Sequence, residues 1–232
     1  MDNYNAIAMD YNEFEQNAIT LWRLGYPAVM DLLGDVAGKS VLDYGCGTGI
    51  FSRFLQSKGA KVTGVDVSEN MIRVAERNSA GSIRYHTINS GKMDFLDEYY
   101  FDFVVSNFVL CTLNSSSEMA LILGQIYRVL KKNGAFVFMN SNWDKSNGKE
   151  FISFKLEFCR ELMPGNPITA IIKSEPPIRL HDYFWPVAVY RRMLAESGFR
   201  IQDQVENIAS GDDVPWLDEK KFPPYYAISA IK

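Results

Sequence analysis

Val41-Leu42-Asp43-Tyr44-Gly45-Cys46-Gly47-Thr48-Gly49, followed by Val62-Thr63-Gly64-Val65-Asp66, decides how the chain is read. The first apolar run reads as a buried parallel strand, and three glycines at alternate positions let the backbone turn sharply and bring its amides close to a ligand. Asp66 ends the second run about 20 residues beyond Gly45, where a carboxylate at a strand tip can accept both hydroxyls of a ribose. Together the two runs describe a nucleoside-binding site.

Outward from this motif, strand-like and helix-like segments alternate. Residues 12–34 read as helical, interrupted by Gly25 and Pro27, and residues 40–44 as the first strand. A helix over 50–58 carries Phe51, Phe54 and Leu55 on one face and is closed by Gly59. Strand two covers 61–66, and Ser68 caps a helix running to about residue 78, with Glu69 at the positive end of its dipole. Strand three is expected near 83–88, a fully buried strand four at 101–106, an amphipathic helix at 118–130 and strand five at 135–140. Strands separated by helices imply parallel pairing with right-handed crossovers, hence a doubly wound α/β sheet.

Beyond residue 141 the rhythm breaks. An aromatic helix is expected around 151–162, since Phe151, Phe154 and Phe158 share one helical face, and prolines 164, 167, 176 and 177 follow. A helix at 187–197, a strand at 199–205 and a last strand at 225–231 resume the regular pattern.

The chain has 232 residues, 47% hydrophobic and 22% charged, enough for a substantial core. A formal charge of −4 without any basic run favours neither a nucleic acid nor an anionic membrane as partner. No apolar stretch approaches the roughly 20 residues that span a bilayer. Met1-Asp2-Asn3-Tyr4 lacks the basic and apolar regions of a signal peptide, so a cytoplasmic location is expected. Cys46, Cys111 and Cys159 are too widely separated for a disulfide framework or a CxxC metal knuckle, and no metal is expected.

The chain resembles a class I S-adenosylmethionine-dependent methyltransferase of the small-molecule type. The likeness rests on the glycine motif, on Val65-Asp66-Val67-Ser68 with Met71, and on Tyr100-Phe101-Asp102-Phe103-Val104-Val105-Ser106 leading to Arg128-Val129-Leu130-Lys131-Lys132-Asn133-Gly134. Leu194-Ala195-Glu196-Ser197-Gly198-Phe199 and Phe222-Pro223-Pro224-Tyr225-Tyr226 extend it towards the end of the sequence. It implies a Rossmann-like seven-stranded sheet of order 3-2-1-4-5-7-6 with strand seven antiparallel. A single domain over 1–232 is expected, made of an N-terminal helical cap (1–35), a cofactor-binding core (36–141), a substrate-side insertion after strand five (142–185) and the rest of the sheet (186–232).

By the same resemblance, the methionine part of S-adenosylmethionine lies over Asp43, Gly45, Cys46 and Gly47, and Asp66 holds the ribose. The loop is G-x-G-x-G, with Ile50 where a dinucleotide fingerprint has its third glycine, which favours adenosylmethionine over NAD. Val67 and Met71 offer apolar cover for adenine. Ile88-Asn89-Ser90-Gly91 stands where the family often has an acid after strand three, so Asn89 or Ser90 would be a neutral acceptor for the adenine amino group. Ser106 and Asn107 end strand four, where the fold opens to cofactor and acceptor, with Phe108 and Leu110 lining the opening.

The segment from Tyr4 to Tyr11 resembles the family's aromatic cap. Tyr11 either contacts the transferred methyl region or is an aromatic staple of a terminal helix. His181 is the candidate acceptor contact or base, with Tyr11 the second catalytic candidate; His86, inside strand three, is structural. Tyr183 and Trp185 share strand alternation and are expected to face the acceptor together with Asn107. Arg179 and Arg191 are candidate anion contacts or solvated surface arginines.

The expected partner is a small-molecule acceptor, with oxygen, nitrogen or carbon methylation open and the protein a monomer or homodimer. An RNA or protein methyltransferase is disfavoured by the charge and by Ser106-Asn107-Phe108-Val109, which lacks an Asn-Pro-Pro-aromatic motif. A catalytically silent cofactor binder stays open.

Overall fold

A computed structural model describes residues 2–232, with side chains described from Ile7 onward. The chain opens with α1 (Asp2–Asn17), a π-helical turn (Leu21–Gly25) and α2 (Tyr26–Leu33). There follow β1 (Ser40–Tyr44), α3 (Ile50–Ser57), β2 (Lys61–Asp66), α4 (Glu69–Ser79), β3 (Arg84–Thr87), β4 (Phe101–Asn107), α5 (Ser116–Val129) and β5 (Leu130–Ser141). After a short α6 (Trp143–Ser146) come β6 (Phe154–Leu156), β7 (Pro167–Ile172) and β8 (Ile178–Tyr183), then α7 (Val187–Glu196), β9 (Arg200–Val205) and β10 (Tyr225–Ile231).

The main sheet has the order β3-β2-β1-β4-β5-β10-β9. Its first five strands run parallel, and β10 pairs antiparallel with both β5 and β9. Counting only this sheet, the order is 3-2-1-4-5-7-6 with strand seven antiparallel, as the resemblance implies. The central strands are apolar runs because both their faces are covered. Val137 joins Val29, Phe51 and Leu55 in a core on the side of α2 and α3. Its neighbours Phe136 and Phe138 join Ile122, Ile126 and Leu194 in a second core, on the side of α5 and α7. Ser68 accepts the Met71 amide at the start of α4, as its capping position predicts.

Two expectations are corrected. Residues 12–34 are not one interrupted helix: α1 reaches back to Asp2, and a π-helical turn separates it from α2. Gly25 ends that turn in a crowded place, where a Cβ would lie 2.9 Å from Leu21 Cδ1 and 3.1 Å from Met139 Sδ. The aromatic segment 151–162 is not a helix. It contributes β6 to a separate three-stranded antiparallel sheet, β6-β7-β8. Phe151 and Phe154 face the same way because the Phe151 amide donates to the Phe154 carbonyl at 2.8 Å, closing a tight turn. Their rings pack 4.9 Å apart, and Phe154 stacks on Tyr225 of β10 at 5.3 Å. Phe158, the third member of the presumed helical face, is 74% exposed.

The insertion is tied to the N-terminal helices through buried Thr20 and Glu219, both 0% exposed. Thr20 Oγ1 donates to Glu219 Oε1 at 2.9 Å, and the same oxygen accepts the Ile152 amide at 2.6 Å. The Thr20 amide donates to Ser153 Oγ at 3.1 Å, and the Ser153 amide donates back to Thr20 Oγ1 at 3.3 Å. Thr20→Val keeps the shape but leaves an amide and a carboxylate oxygen short of partners. A loss of ~1–3 kcal/mol in urea unfolding is expected; an unchanged midpoint would mean that the network contributes nothing to stability.

Among the described residues, no helix is long and apolar enough to cross a membrane.

Candidate functional site

The C-terminal ends of β1, β2 and β4 meet at one edge of the sheet, and the turn after β1 is shaped by positive φ at Gly45 (+76°), Gly47 (+51°) and Gly49 (+75°). The glycines serve different needs. A Cβ on Gly45 would lie 2.0 Å from Val109 Cγ2, so glycine is what lets the segment after β4 close against the turn. A Cβ on Gly47 would meet nothing within 4 Å, because this residue borders open space. Cys46 is buried, and its Sγ lies 3.0 Å from where a Cβ on Gly64 would be, so it fills the gap between the turn and β2.

Asp66 is locked to this turn. Its Oδ2 accepts the Gly47 amide at 2.9 Å and its Oδ1 accepts the Ser68 amide at 2.8 Å. Burial raises its pKa, while these backbone donors, with that of Val67, oppose the rise. Asp43 is 2% exposed and accepts Ser52 Oγ at 2.5 Å. Burial pushes it up to about 7, with Glu15 and Asp66 adding repulsion.

These elements enclose a cavity of about 460 Å³. Of the residues named from sequence, Asp43, Gly45, Cys46, Gly47, Asp66, Val67, Met71 and Ser90 line it on the side of the glycine turn. Tyr11, Asn107, Phe108, His181 and Tyr183 line it as well, from α1, β4 and β8. Both polar atoms of the Asn107 amide are buried without a partner among the described residues. Tyr11 lies near enough to Glu15, Asp182, Tyr225 and Cys111 that their charges, after burial, raise its pKa further. The segment from Tyr4 to Ala6 lies outside the residues whose side chains are described.

Other expected residues lie elsewhere. Asn89 is exposed and outside the cavity wall, which leaves Ser90 as the polar residue of the segment after β3 there, beside apolar Ile88. Ser106 alternates with Asn107 along β4 and is turned inward, 1% exposed. Trp185 does not share the cavity with Tyr183: β8 ends at Tyr183, so alternation stops there, and the Trp185 indole donates to the Leu113 carbonyl at 2.8 Å. Leu110 is buried in the core beneath the opening. Asp182 points away from His181; it is buried, pairs with the Cys111 thiol and is pushed up to about 6 by burial. His181 Nδ1 instead lies 3.4 Å from Thr169 Oγ1 on β7. Arg179 pairs with Glu157 at 2.7 Å, Arg191 bonds Gln204 at 2.9 Å, and His86 packs its ring against Phe95 on β3.

Six wall residues had no sequence signal of their own: Glu15, Tyr26, Thr112, Leu113, Asn114 and Glu118. Glu15 follows Tyr11 by four residues on α1, so helical spacing places both on one face once Tyr11 is assigned to the site.

Residues 42–138 match the family described as a methyltransferase domain. The chain is 32% identical to N-demethylindolmycin N-methyltransferase of Streptomyces griseus over 202 residues, covering 83% of this chain and 84% of that protein. It is 31% identical to demethylmenaquinone methyltransferase of Tropheryma whipplei over 182 residues, 75% of this chain and 70% of the relative. Its fold matches the crystal structure of an S-adenosylmethionine-dependent methyltransferase from Mesorhizobium loti with a TM-score of 0.67 at 22% identity, over 93% of this chain and 99% of the other.

Proposed function

The chain belongs to the class I S-adenosylmethionine-dependent methyltransferases, and from that premise we propose that its methyl acceptor is a small-molecule metabolite. The observation that carries this reading is that a single cavity of about 460 Å³ is lined both by the glycine turn with Asp66 and by His181 and Tyr183 of the insertion. A cofactor and an acceptor sharing that volume leave room for a small molecule. The relatives named for indolmycin and menaquinone methylation support the same reading.

The residues present fit the cofactor. Gly47 opens a cradle that any Cβ would fill, the Asp66 carboxylate borders the same space as an acceptor for ribose hydroxyls, and Val67, Met71 and Ile88 supply apolar cover for a base. Bound here, adenosylmethionine supplies a methyl group carried on positively charged sulfur. What the protein adds is placement: the glycine turn and Asp66 fix one end of the cavity, and Tyr11, Asn107, Phe108 and Tyr183 wall the other, so that a nucleophile is held in line at short range. The buried, unpartnered amide of Asn107 can orient an acceptor through either its donor or its acceptor atom.

Mass spectrometry of a metabolite panel incubated with enzyme and labelled adenosylmethionine tests the proposal. Label in a small metabolite is expected; label only in added RNA or protein would overturn it. His181, at the acceptor wall and without a carboxylate partner among the described residues, acts in this reading by contacting or deprotonating the acceptor. His181→Asn should lower turnover about tenfold, below the full range of general-base effects, with adenosylhomocysteine affinity unchanged. An unaltered rate assigns His181 to the surface.

A further inference from the structure

Glu15 lines the cavity from α1 and keeps part of its surface open to it. Its carboxylate accepts the Tyr26 hydroxyl and, at 3.5 Å, the Thr48 hydroxyl beside the glycine turn. Both donors are neutral. Arg53 favours its charged form from a distance, but the guanidinium bonds the Thr48 carbonyl at 2.9 Å rather than Glu15 itself. Among the described residues the cavity wall holds four carboxylates, Glu15, Asp43, Asp66 and Glu118, and no lysine or arginine. Among the described residues Glu15 is bonded by hydroxyls alone, and a carboxylate withdrawn from water in this way is costly to keep charged unless a cation joins it.

The cofactor brings such cations, because its sulfonium and its α-ammonium are both positive. The other carboxylates at this end are committed. Asp66 is fixed by two backbone amides, and Asp43 is almost fully buried against Ser52. Glu118, the fourth wall carboxylate, stands in the first turn of α5 near Tyr44, whereas Glu15 is bonded to Thr48 of the glycine turn itself and is open to the cavity.

We infer that Glu15 is the counter-charge for the α-ammonium of the cofactor's amino-acid tail, so that the cofactor itself fastens α1 over the site. The inference rests on adenosylmethionine lying along the glycine turn and Asp66. Electrostatics agree with the geometry: burial lifts Glu15 and Asp43 from 4.5 and 3.8 to about 7 each, and a cation placed between them draws both back towards the charged form. The other groups facing Glu15 are Tyr11 on its own helix, Tyr26 from α2, Asp43 and Cys46 from β1 and the turn, and Thr48 and Arg53 from the turn and α3.

Calorimetry with two ligands tests this. 5′-Methylthioadenosine shares the nucleoside and the sulfur of adenosylhomocysteine but has no amino-acid tail. Glu15→Gln should weaken adenosylhomocysteine about tenfold and leave methylthioadenosine within about twofold. Equal loss for both ligands, or no loss for adenosylhomocysteine, overturns the assignment. Hydrogen exchange on the unmodified protein keeps the test independent of how the variant folds: adenosylhomocysteine should protect the amides of α1 and methylthioadenosine should not, and equal protection by both overturns the latch. If the unmodified protein binds neither ligand, it is the placement of the cofactor that fails.

Discussion

Gly47→Val is expected to lower adenosylhomocysteine affinity by about 100-fold, ~2.8 kcal/mol, in a protein that still folds. The expectation follows from how Gly47 differs from its neighbours. A Cβ at Gly45 would collide with Val109 and one at Gly49 with the Tyr85 hydroxyl, 2.5 Å away, so valine at either position disturbs the packing of the protein itself. At Gly47 an added Cβ meets no atom of the described residues within 4 Å, and the methyl groups of valine would occupy the ligand's space. The left-handed φ of +51° adds a strain of ~1–2 kcal/mol for an L-residue. That strain can relax only by turning the amide that now points to Asp66 Oδ2. Ligand space and the orientation of the ribose-binding carboxylate are thus lost together. Circular dichroism should show a native spectrum with a modestly lowered Tm, and calorimetry should show little or no binding. Native affinity would remove the turn from the site.

The parts of the fold that sequence made legible are those where one physical demand dominates. Strands β1, β4 and β5 are covered on both faces over their central parts, so each carries a short hydrophobic run, Val41-Leu42, Phe103-Val104-Val105 and Ala135-Phe136-Val137-Phe138-Met139, and the glycine turn must take positive φ at alternate positions. The insertion was misread because a spacing of three serves a tight turn as well as a helix. The contact that decides between them, Phe154 against Tyr225, lies 71 positions away in the chain and leaves no local trace. The site divides in the same way. Asp66 is marked by its position at a strand tip, and Asn107 by its place at the end of β4. Trp185 was grouped with Tyr183 by an alternation that ends when the strand does. Glu15 carries no mark of its own beyond its spacing of four from Tyr11: in Asn12-Glu13-Phe14-Glu15-Gln16 it looks like one more acid on a polar helix, and the approach of Thr48 and Tyr26 from other elements is what makes it part of the cavity.

Asp66→Ala should weaken adenosylhomocysteine by ~1–3 kcal/mol, the range for losing hydrogen bonds to a charged acceptor. Unlike Glu15→Gln, it should weaken methylthioadenosine by the same factor, because both ligands carry the ribose. The carboxylate has two tasks. Its oxygens already hold the backbone amides of Gly47 and Ser68, with the Val67 amide also directed at the group, and the same carboxylate borders the cavity. Alanine therefore removes the ribose acceptors and also frees the turn they are anchored to. Asp66→Asn separates the two tasks. Its amide keeps one acceptor oxygen but sets an NH2 group against one of the two backbone donors, so a loss comparable to alanine's would show that orientation of the turn matters as much as the ribose bonds. Because burial raises the Asp66 pKa, the charged acceptor is lost on acidification at a higher pH than for an ordinary aspartate. Affinity in the unmodified protein should fall as pH drops through that value, and Asp66→Ala should remove this part of the pH dependence. Unchanged affinity in the alanine variant would take Asp66 out of the ribose site, and would leave its two amide bonds as a structural clamp between β2 and the glycine turn.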